Sequence, residues 1–174
     1  MKKLLFALVV LLVAVLLFNT FRITATAEES VEQLKVPVNT EQITARMAQA
    51  IRFRTVSTGN EATQQYTAFR DFVAWVKQTY LQVHDAMSLQ MIAEHTILLK
   101  WQGSKPTLKP ILLAAHYDVV PVVPGSEGEW SYPPFSGAVA EGYVWGRGAL
   151  DDKSGVIAMY EAAALLVQQG FKPQ

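Results

Sequence analysis

The hydrophobic pattern changes sharply along the chain, and its first segment has no polar face at all. Two lysines precede an unbroken apolar run from Leu4 to Phe18, which is too uniform for a core helix of a soluble domain and is typical of an export signal. Ala25-Thr26-Ala27 offers a signal peptidase site, whereas Phe21 and Arg22 stand where such enzymes prefer small polar residues. Residues 1–27 are therefore predicted to be a cleaved signal peptide or a retained membrane anchor. We expect an exported protein, periplasmic or extracellular, or attached to a membrane through residues 4–18.

Beyond a polar linker predicted at residues 28–38, the apolar positions acquire helical spacing. Asn39 can cap a helix in which apolar residues recur every three or four positions until about Ser57. A second helix is predicted from Glu61 to about Tyr80. Its apolar stripe is rich in aromatic residues, which we assign to a protein core rather than to a cofactor site. Folded structure is therefore expected to begin near Asn39.

The rest of the chain predicts strands followed by a helix. The run Ile111–Ala115 is continuously apolar, and a strand of this kind is usually buried on both faces by helices. A helix is predicted over Lys153–Gln169, ended by Gly170. These features predict an α/β fold in which residues 39–174 form part of one domain. The segments with strand character are Leu81–Met87, Thr96–Trp101, Pro110–Ala115 and Ala138–Trp145.

Composition then excludes several classes of function. The chain has 174 residues, with 15 basic and 15 acidic side chains and no cysteine. Because these charges cancel and no basic cluster occurs, nucleic acid is not an expected partner. Without cysteine there can be no thiol nucleophile, disulfide or Cys-ligated zinc, which leaves His, Asp and Glu as the strong metal ligands. A serine hydrolase is also disfavoured, because no Gly-x-Ser-x-Gly motif is present.

A histidine and an aspartate follow the most apolar predicted strand. His116 and Asp118 are two residues apart, so on an extended backbone they share a face. The carboxyl end of a central strand is where α/β proteins commonly bind ligands. The pair suits a metal ligand and a carboxylate that fixes its tautomer. Taken alone it fits a local hydrogen bond equally well.

A second polar cluster follows the next predicted strand. Gly146-Arg147-Gly148 leads through Ala149 and Leu150 to Asp151-Asp152-Lys153 at the start of the last helix. Either aspartate can cap that helix, next to the favourable end of its dipole. The other interpretation uses the two oxygens of Asp151 to bridge two cations, which neither a histidine nor an amide can do.

The two clusters in this order resemble one family of enzymes. His-x-Asp-Val-Val-Pro from His116, followed by Gly-Arg-Gly-x-x-Asp-Asp-Lys from Gly146, is similar to the zinc-dependent exopeptidase and aminoacylase family that includes carboxypeptidase S, carnosinase and succinyl-diaminopimelate desuccinylase. The resemblance implies that His116 and Asp151 are metal ligands, with Asp151 bridging two zinc ions. It implies that Asp118 orients His116 as part of the catalytic site.

The same resemblance implies roles for the remaining residues of the second motif. It also indicates which features of the family do not occur in this chain. We expect Arg147, Asp152 and Lys153 to shape the loop. Family members continue with a Glu-Glu pair, further ligands and a lid domain that often dimerises, and none of these occurs here. The chain therefore resembles the N-terminal half of a mixed-sheet catalytic domain covered by helices, without the lid. On its own this fragment is expected to be inactive, because two direct ligands cannot hold two ions.

For the whole protein, the resemblance implies a hydrolase that cleaves amide bonds of small peptides or N-acyl amino acids. It implies two zinc ions per site, although His and carboxylate ligands also accept cobalt or manganese, and a homodimer formed through the lid. The alternative is a truncated, non-catalytic remnant that is exported or tethered to a membrane. We interpret His84, His95 and the segment Trp130–Phe135 as structural.

Overall fold

The computed structural model describes residues 2–23, 36–60 and 63–174, and contacts divide the chain into two units, Met1–Pro37 and Val38–Gln174. In the first unit, helix α1 runs from Lys2 to Arg22. Its most apolar window of 18 residues has a mean hydropathy of 2.8, and the helix has no buried residue. Length and composition therefore allow α1 to cross a membrane, although a signal sequence meets the same test. The candidate cleavage site at residues 25–27 and most of the predicted linker lie outside the described residues.

The second unit begins with two helices that are both shorter than the sequence predicts: the first ends at Arg52 rather than near Ser57, and the second begins at Thr67 rather than Glu61. Helix α2 runs from Thr40 to Arg52, and the Asn39 side chain accepts a hydrogen bond from the Gln42 amide at 3.0 Å, which satisfies one of the unpaired donors at the helix start. Helix α3 runs from Thr67 to Thr79. The apolar stripe predicted for this region is indeed core. Its buried members are Phe69, Phe72, Val73, Val76 and, just beyond the helix, Tyr80.

The strand predicted at Leu81–Met87 is wrong, because this segment is the short helix α4, Leu81–Ala86. The Tyr80 carbonyl accepts from the amides of both Val83 and His84, so the chain leaves α3 through another helical turn. Strand β1, Ser88–Ile92, comes directly afterwards and pairs antiparallel with β2, Thr96–Lys100. The prediction for Thr96–Trp101 is thus confirmed within one residue.

The strand predicted at Pro110–Ala115 is also not observed. Ile111, Leu112 and Leu113 are 89%, 78% and 72% exposed, whereas the prediction placed them inside a sheet. A strand requires a neighbour with which to exchange backbone hydrogen bonds, and among the described residues the closest pairing is one parallel bridge between Val56 and Val119. The run is therefore exposed and has no strand partner among the described residues.

The last part of the fold is a hairpin and a long helix. The single strand predicted over Ala138–Trp145 is two strands, β3 at Ala138–Ala140 and β4 at Tyr143–Trp145, which pair antiparallel. Between them the chain turns at two residues of positive φ, as the tightest hairpins require. Helix α5 spans Lys153–Gln168 and ends at Gly170, whose amide bonds to the Val167 carbonyl at 3.0 Å. The predicted helix and its end are confirmed.

The architecture is therefore mixed α/β, with small sheets in place of the larger mixed sheet that was expected. The described strands form two separate two-stranded antiparallel sheets. Between α2 and α5, Glu161 pairs with Arg46 at 2.8 Å and accepts from the Tyr80 hydroxyl at 2.7 Å. The core is built from helices α2 to α5 and comprises Met47, Ala50, Ile51, Phe72, Val76, Tyr80, Val83, Val156, Ile157, Tyr160 and Ala164.

Candidate functional site

The segment carrying His116 is held against the chain that leaves α2. The Val119 amide donates to the Thr55 carbonyl at 2.9 Å, and the Ser57 amide donates to the Val119 carbonyl at 2.9 Å. The Thr55 hydroxyl donates to the Tyr117 carbonyl, and Thr55 is fully buried. These bonds keep residues 117–119 extended, so His116 and Asp118 face the same way, as their spacing predicted.

The second cluster reaches the same place through a tight loop between β4 and α5. The Arg147 amide donates to the Pro134 carbonyl at 2.6 Å, and the Lys153 amide donates to the Gly148 carbonyl at 3.1 Å. The peptide between Asp151 and Asp152 is cis. The loop thereby brings Asp151 to His116 from 35 residues away in the chain.

His116 lies between two carboxylates. Its Nδ1 is 3.0 Å from Asp118 Oδ1, and its Nε2 is 3.0 Å from Asp151 Oδ1. The His116 side chain is 52% exposed, Asp118 45% and Asp151 87%, so the group faces solvent. The structure therefore brings together the three residues predicted as metal ligands and orienting carboxylate.

The two carboxylates also change the acidity of the imidazole. Partial burial lowers the pKa of His116, but hydrogen bonds to the Asp118 carbonyl and to Asp151, with the charges of both carboxylates, outweigh it and raise the pKa above the usual value. In the doubly protonated imidazolium form, Nδ1 donates to Asp118 and Nε2 donates to Asp151. A metal ion would compete for the position on Nε2, because a histidine must lose that proton to bind one.

The geometry around Nε2 fits a zinc ion after a small opening. Tetrahedral zinc holds nitrogen and oxygen ligands at about 2.0–2.2 Å, which separates the two ligand atoms by roughly 3.4 Å. The observed 3.0 Å between Nε2 and Asp151 Oδ1 is close to this value, and the exposed Asp151 side chain can move outwards. Within residues 2–23, 36–60 and 63–174, however, no group of three or more His, Asp or Glu side chains could hold a metal ion.

The residues predicted to shape the loop, Arg147, Asp152 and Lys153, make different contacts. The Arg147 guanidinium lies 5.0 Å from the centre of the Trp130 ring, which agrees with a packing role for the segment Trp130–Phe135. Asp152 occupies the cap position of α5 without a capping hydrogen bond from its side chain. A Cβ atom on Gly155 would lie only 2.5 Å from Asp152 Oδ1, so the glycine makes room for this carboxylate.

Lys153 is buried, which the sequence analysis did not anticipate. The residue is fully buried, and its ammonium donates to the Ala50 carbonyl at 2.9 Å and to the Phe53 carbonyl at 2.6 Å. Burial lowers the pKa of Lys153 to about 7, while the two carbonyls at the end of α2 favour the charged form. No local signal in the sequence distinguishes this lysine from an exposed one, since its partners lie 100 and 103 residues earlier.

The other two histidines do not join the site. The His95 ring stacks on Tyr66 at 4.5 Å, and His84 contacts Tyr160 across the helices. Both therefore have structural contacts, as predicted. Beside His116 and Asp118 opens a cavity of about 960 Å³, which is also lined by the exposed run Ile111–Leu113. Apolar side chains of the core, among them Phe72 and Tyr160, also line it.

Known proteins resemble this chain over the same two clusters. The family model "Peptidase family M20/M25/M40" matches residues 112–174. A probable carboxypeptidase S-like protein of Dictyostelium discoideum is 42% identical over 135 residues, covering 76% of this chain and 26% of the relative. An N-fatty-acyl-amino acid synthase/hydrolase of Xenopus tropicalis is 36% identical, covering 95% of this chain and 33% of the relative. This chain thus spans about a quarter to a third of the length of these relatives.

One solved structure has the same fold over most of the chain. It is an M20 family metallo-carboxypeptidase from Sulfolobus solfataricus, which matches with a TM-score of 0.55 and 21% sequence identity. The match covers 76% of this chain and 28% of that protein. At this identity the likeness concerns the fold alone.

Proposed function

We propose that this chain, which belongs to the M20/M25/M40 family of zinc exopeptidases, supplies one part of a two-zinc site for amide hydrolysis. In this proposal the whole protein is a metallopeptidase or amidohydrolase, and its substrates are small peptides or N-acyl amino acids. The chain would be its N-terminal part. The observation that carries the proposal is the position of His116 between Asp118 and Asp151, 3.0 Å from each.

In this proposal Asp118 orients the imidazole of His116. By accepting a hydrogen bond from Nδ1 it favours the tautomer in which Nε2 carries a lone pair. That lone pair points towards Asp151, so one ion can be held by Nε2 and a carboxylate oxygen. The second oxygen of Asp151 is available for a second ion, because the side chain is largely exposed.

Zinc held by His116 and Asp151 would supply a Lewis acid that lowers the pKa of bound water and polarises the carbonyl of the substrate. The chain itself would supply the imidazole of His116 in a fixed orientation and the bridging carboxylate of Asp151. It would also supply the buried hydrogen bonds that hold the loop carrying Asp151. Cobalt or manganese would suit the same donors. The remaining ligands and the general base are expected in the part of the relatives that this chain does not cover, as is the lid through which we propose dimerisation.

Zinc content tests this assignment. We would measure zinc by mass spectrometry after dialysis, together with hydrolysis of N-acyl amino acids and dipeptides, in the complete gene product. His116→Ala should lose both zinc and activity, because it removes a direct ligand. His84→Gln, which changes a histidine outside the site, is the matched control and should keep both. If His116→Ala retains its zinc, the ligand assignment is wrong.

A non-catalytic, exported or membrane-tethered chain is the second candidate. It is favoured because the described residues include no cluster of three or more His, Asp or Glu side chains that could hold a metal ion. The coding sequence after residue 174 discriminates the two. A frame that continues into a segment with paired glutamates supports the enzyme, and a stop codon supports the remnant.

We also propose that α1 directs export and attaches the chain to a membrane. Its 21 residues span about 31 Å as a helix, close to the thickness of a bilayer core. N-terminal sequencing of the exported protein distinguishes retention from cleavage: a retained anchor begins near Met1, and a cleaved signal peptide leaves a new terminus near residue 28.

A further inference from the structure

We propose that the segment Ala50–Ser57, which ends α2 and follows it, is a common anchor that sets the distance between His116 and Asp151. Lys153 and Thr55 are its two positioning residues. Neither touches the metal position itself. This inference rests on the proposed metal site and adds the groups that hold the two ligands at a fixed separation.

The first arm of the anchor runs through Lys153. Its ammonium binds the carbonyls of Ala50 and Phe53 at the end of α2, which also accept from the backbone amides of Phe53 and Thr55. Lys153 is the first residue of α5 and lies two positions after Asp151. The bond from a fully buried side chain therefore fixes the start of α5, and with it the loop that carries Asp151.

The second arm runs through Thr55. Its carbonyl accepts from the Val119 amide, and its hydroxyl donates to the Tyr117 carbonyl. Because Tyr117 directly follows His116, these bonds fix the backbone from which the imidazole extends. Thr55 is fully buried, so water does not compete for them.

The loop that carries Asp151 also packs against residues of both arms beneath the site. A Cβ atom on Gly148 would lie 2.4 Å from Val119 Cγ1 and 3.5 Å from Lys153 Cδ, which shows how closely the loop packs on both. By contrast, the direct contact between His116 and Asp151 is exposed to solvent, and exposed pairs contribute little to their own geometry. The buried anchor, rather than this contact, sets the separation.

The test uses two variants and two controls, all made in the complete gene product. Lys153→Met keeps the length of the alkyl part of the side chain and removes the ammonium, and Thr55→Val replaces the hydroxyl with a methyl group. Thr55→Ser restores the hydroxyl and should rescue. Arg46→Met breaks the ion pair with Glu161, which also joins α2 to α5 but contacts none of the site residues, so it controls for loss of stability alone.

Two measurements read the site without any assay of activity. The first is affinity for Zn²⁺ alone, by calorimetry, which should fall about tenfold or more in Lys153→Met and Thr55→Val, in the range known for groups that orient metal ligands. The second is the ¹⁵N chemical shifts of the His116 ring without metal at one fixed pH, which should change in the same two variants. Thr55→Ser and Arg46→Met should match the original chain in both measurements.

The outcomes separate this inference from the proposed metal site. If His116→Ala binds Zn²⁺ as the original chain does, the metal site is wrong. If His116→Ala loses binding while Lys153→Met and Thr55→Val keep it, the metal site stands and the anchor is refuted. Unchanged ring shifts in folded Thr55→Val also refute the anchor, whether or not Lys153→Met folds. Circular dichroism of each variant establishes that it is folded.

Discussion

Gly148 offers the sharpest test of packing beneath the site, because the chain contains a matched control. Gly148 has φ +80° and Gly142 has φ +82°. An L side chain in this region of backbone space costs about 1–2 kcal/mol. An added Cβ on Gly148 would also lie 2.4 Å from Val119 Cγ1, whereas nothing lies within 4 Å of one on Gly142. The two alanine variants therefore differ only in the collision.

The collision should dominate, because Val119 is buried and its backbone is paired on both sides with Thr55 and Ser57. Overpacking of this kind costs about 1–3 kcal/mol. We therefore expect Gly148→Ala to lower the free energy of unfolding by about 2–5 kcal/mol and Gly142→Ala by about 1–2 kcal/mol. Urea denaturation followed by tryptophan fluorescence measures both values.

Removing the obstacle should restore part of the loss. Val119→Ala deletes the Cγ1 atom. The double variant with Gly148→Ala should therefore lose less free energy of unfolding than the sum of the two single-variant losses, by about 1–3 kcal/mol. Equal losses for the two glycine variants, or strict additivity with Val119→Ala, would refute the packing argument. The loop would then be free to move away from Val119.

Two further predictions concern the helical core. Glu161→Gln should lower the free energy of unfolding by about 1.5–3 kcal/mol, because it leaves the partly buried Arg46 guanidinium without a charged acceptor; urea denaturation measures the loss, and a change below about 0.5 kcal/mol would contradict it. Burial, aided by the charge of Lys77, lowers the pKa of His84, so the folded state binds this proton less readily than the unfolded state. The contribution of His84 to the free energy of unfolding is therefore fully present above about pH 6.5, and it is lost as the pH drops towards the lowered pKa. Urea midpoints between pH 7.5 and 5 should therefore fall less steeply in His84→Gln.

The elements that could be predicted from the sequence were those with local signals. Asn39 and Gly170 mark helix ends through their own side chain and backbone, and the structure confirms both. Leu81–Met87 was assigned to a strand from its composition, but the Tyr80 carbonyl continues the helical hydrogen bonding into it. Pro110–Ala115 has strand-like composition, and a strand also needs partners, which a single segment of sequence does not reveal.

The candidate site divides in the same way. The spacing of His116 and Asp118 predicted that they share a face, and the structure places them within hydrogen-bond distance. Asp151 was joined to them only through a resemblance between motifs, since 35 residues separate it from His116. Thr55 went unnoticed, because its bond to Tyr117 spans 62 residues and a buried threonine carries no pattern of its own.

The cost of burying Lys153 argues for a role beyond stability. Burying an ammonium is unfavourable unless it is well paired, and an apolar side chain of similar length could fill the same space beside Phe72 without that penalty. The contact between His116 and Asp151 is exposed and contributes less than about 1 kcal/mol, so it cannot hold the loop. An ammonium fastened to two carbonyls at the end of α2 fixes both the position and the direction of the first turn of α5. Asp151 lies two positions earlier, so the buried charge of Lys153 also fixes the location of Asp151 relative to His116.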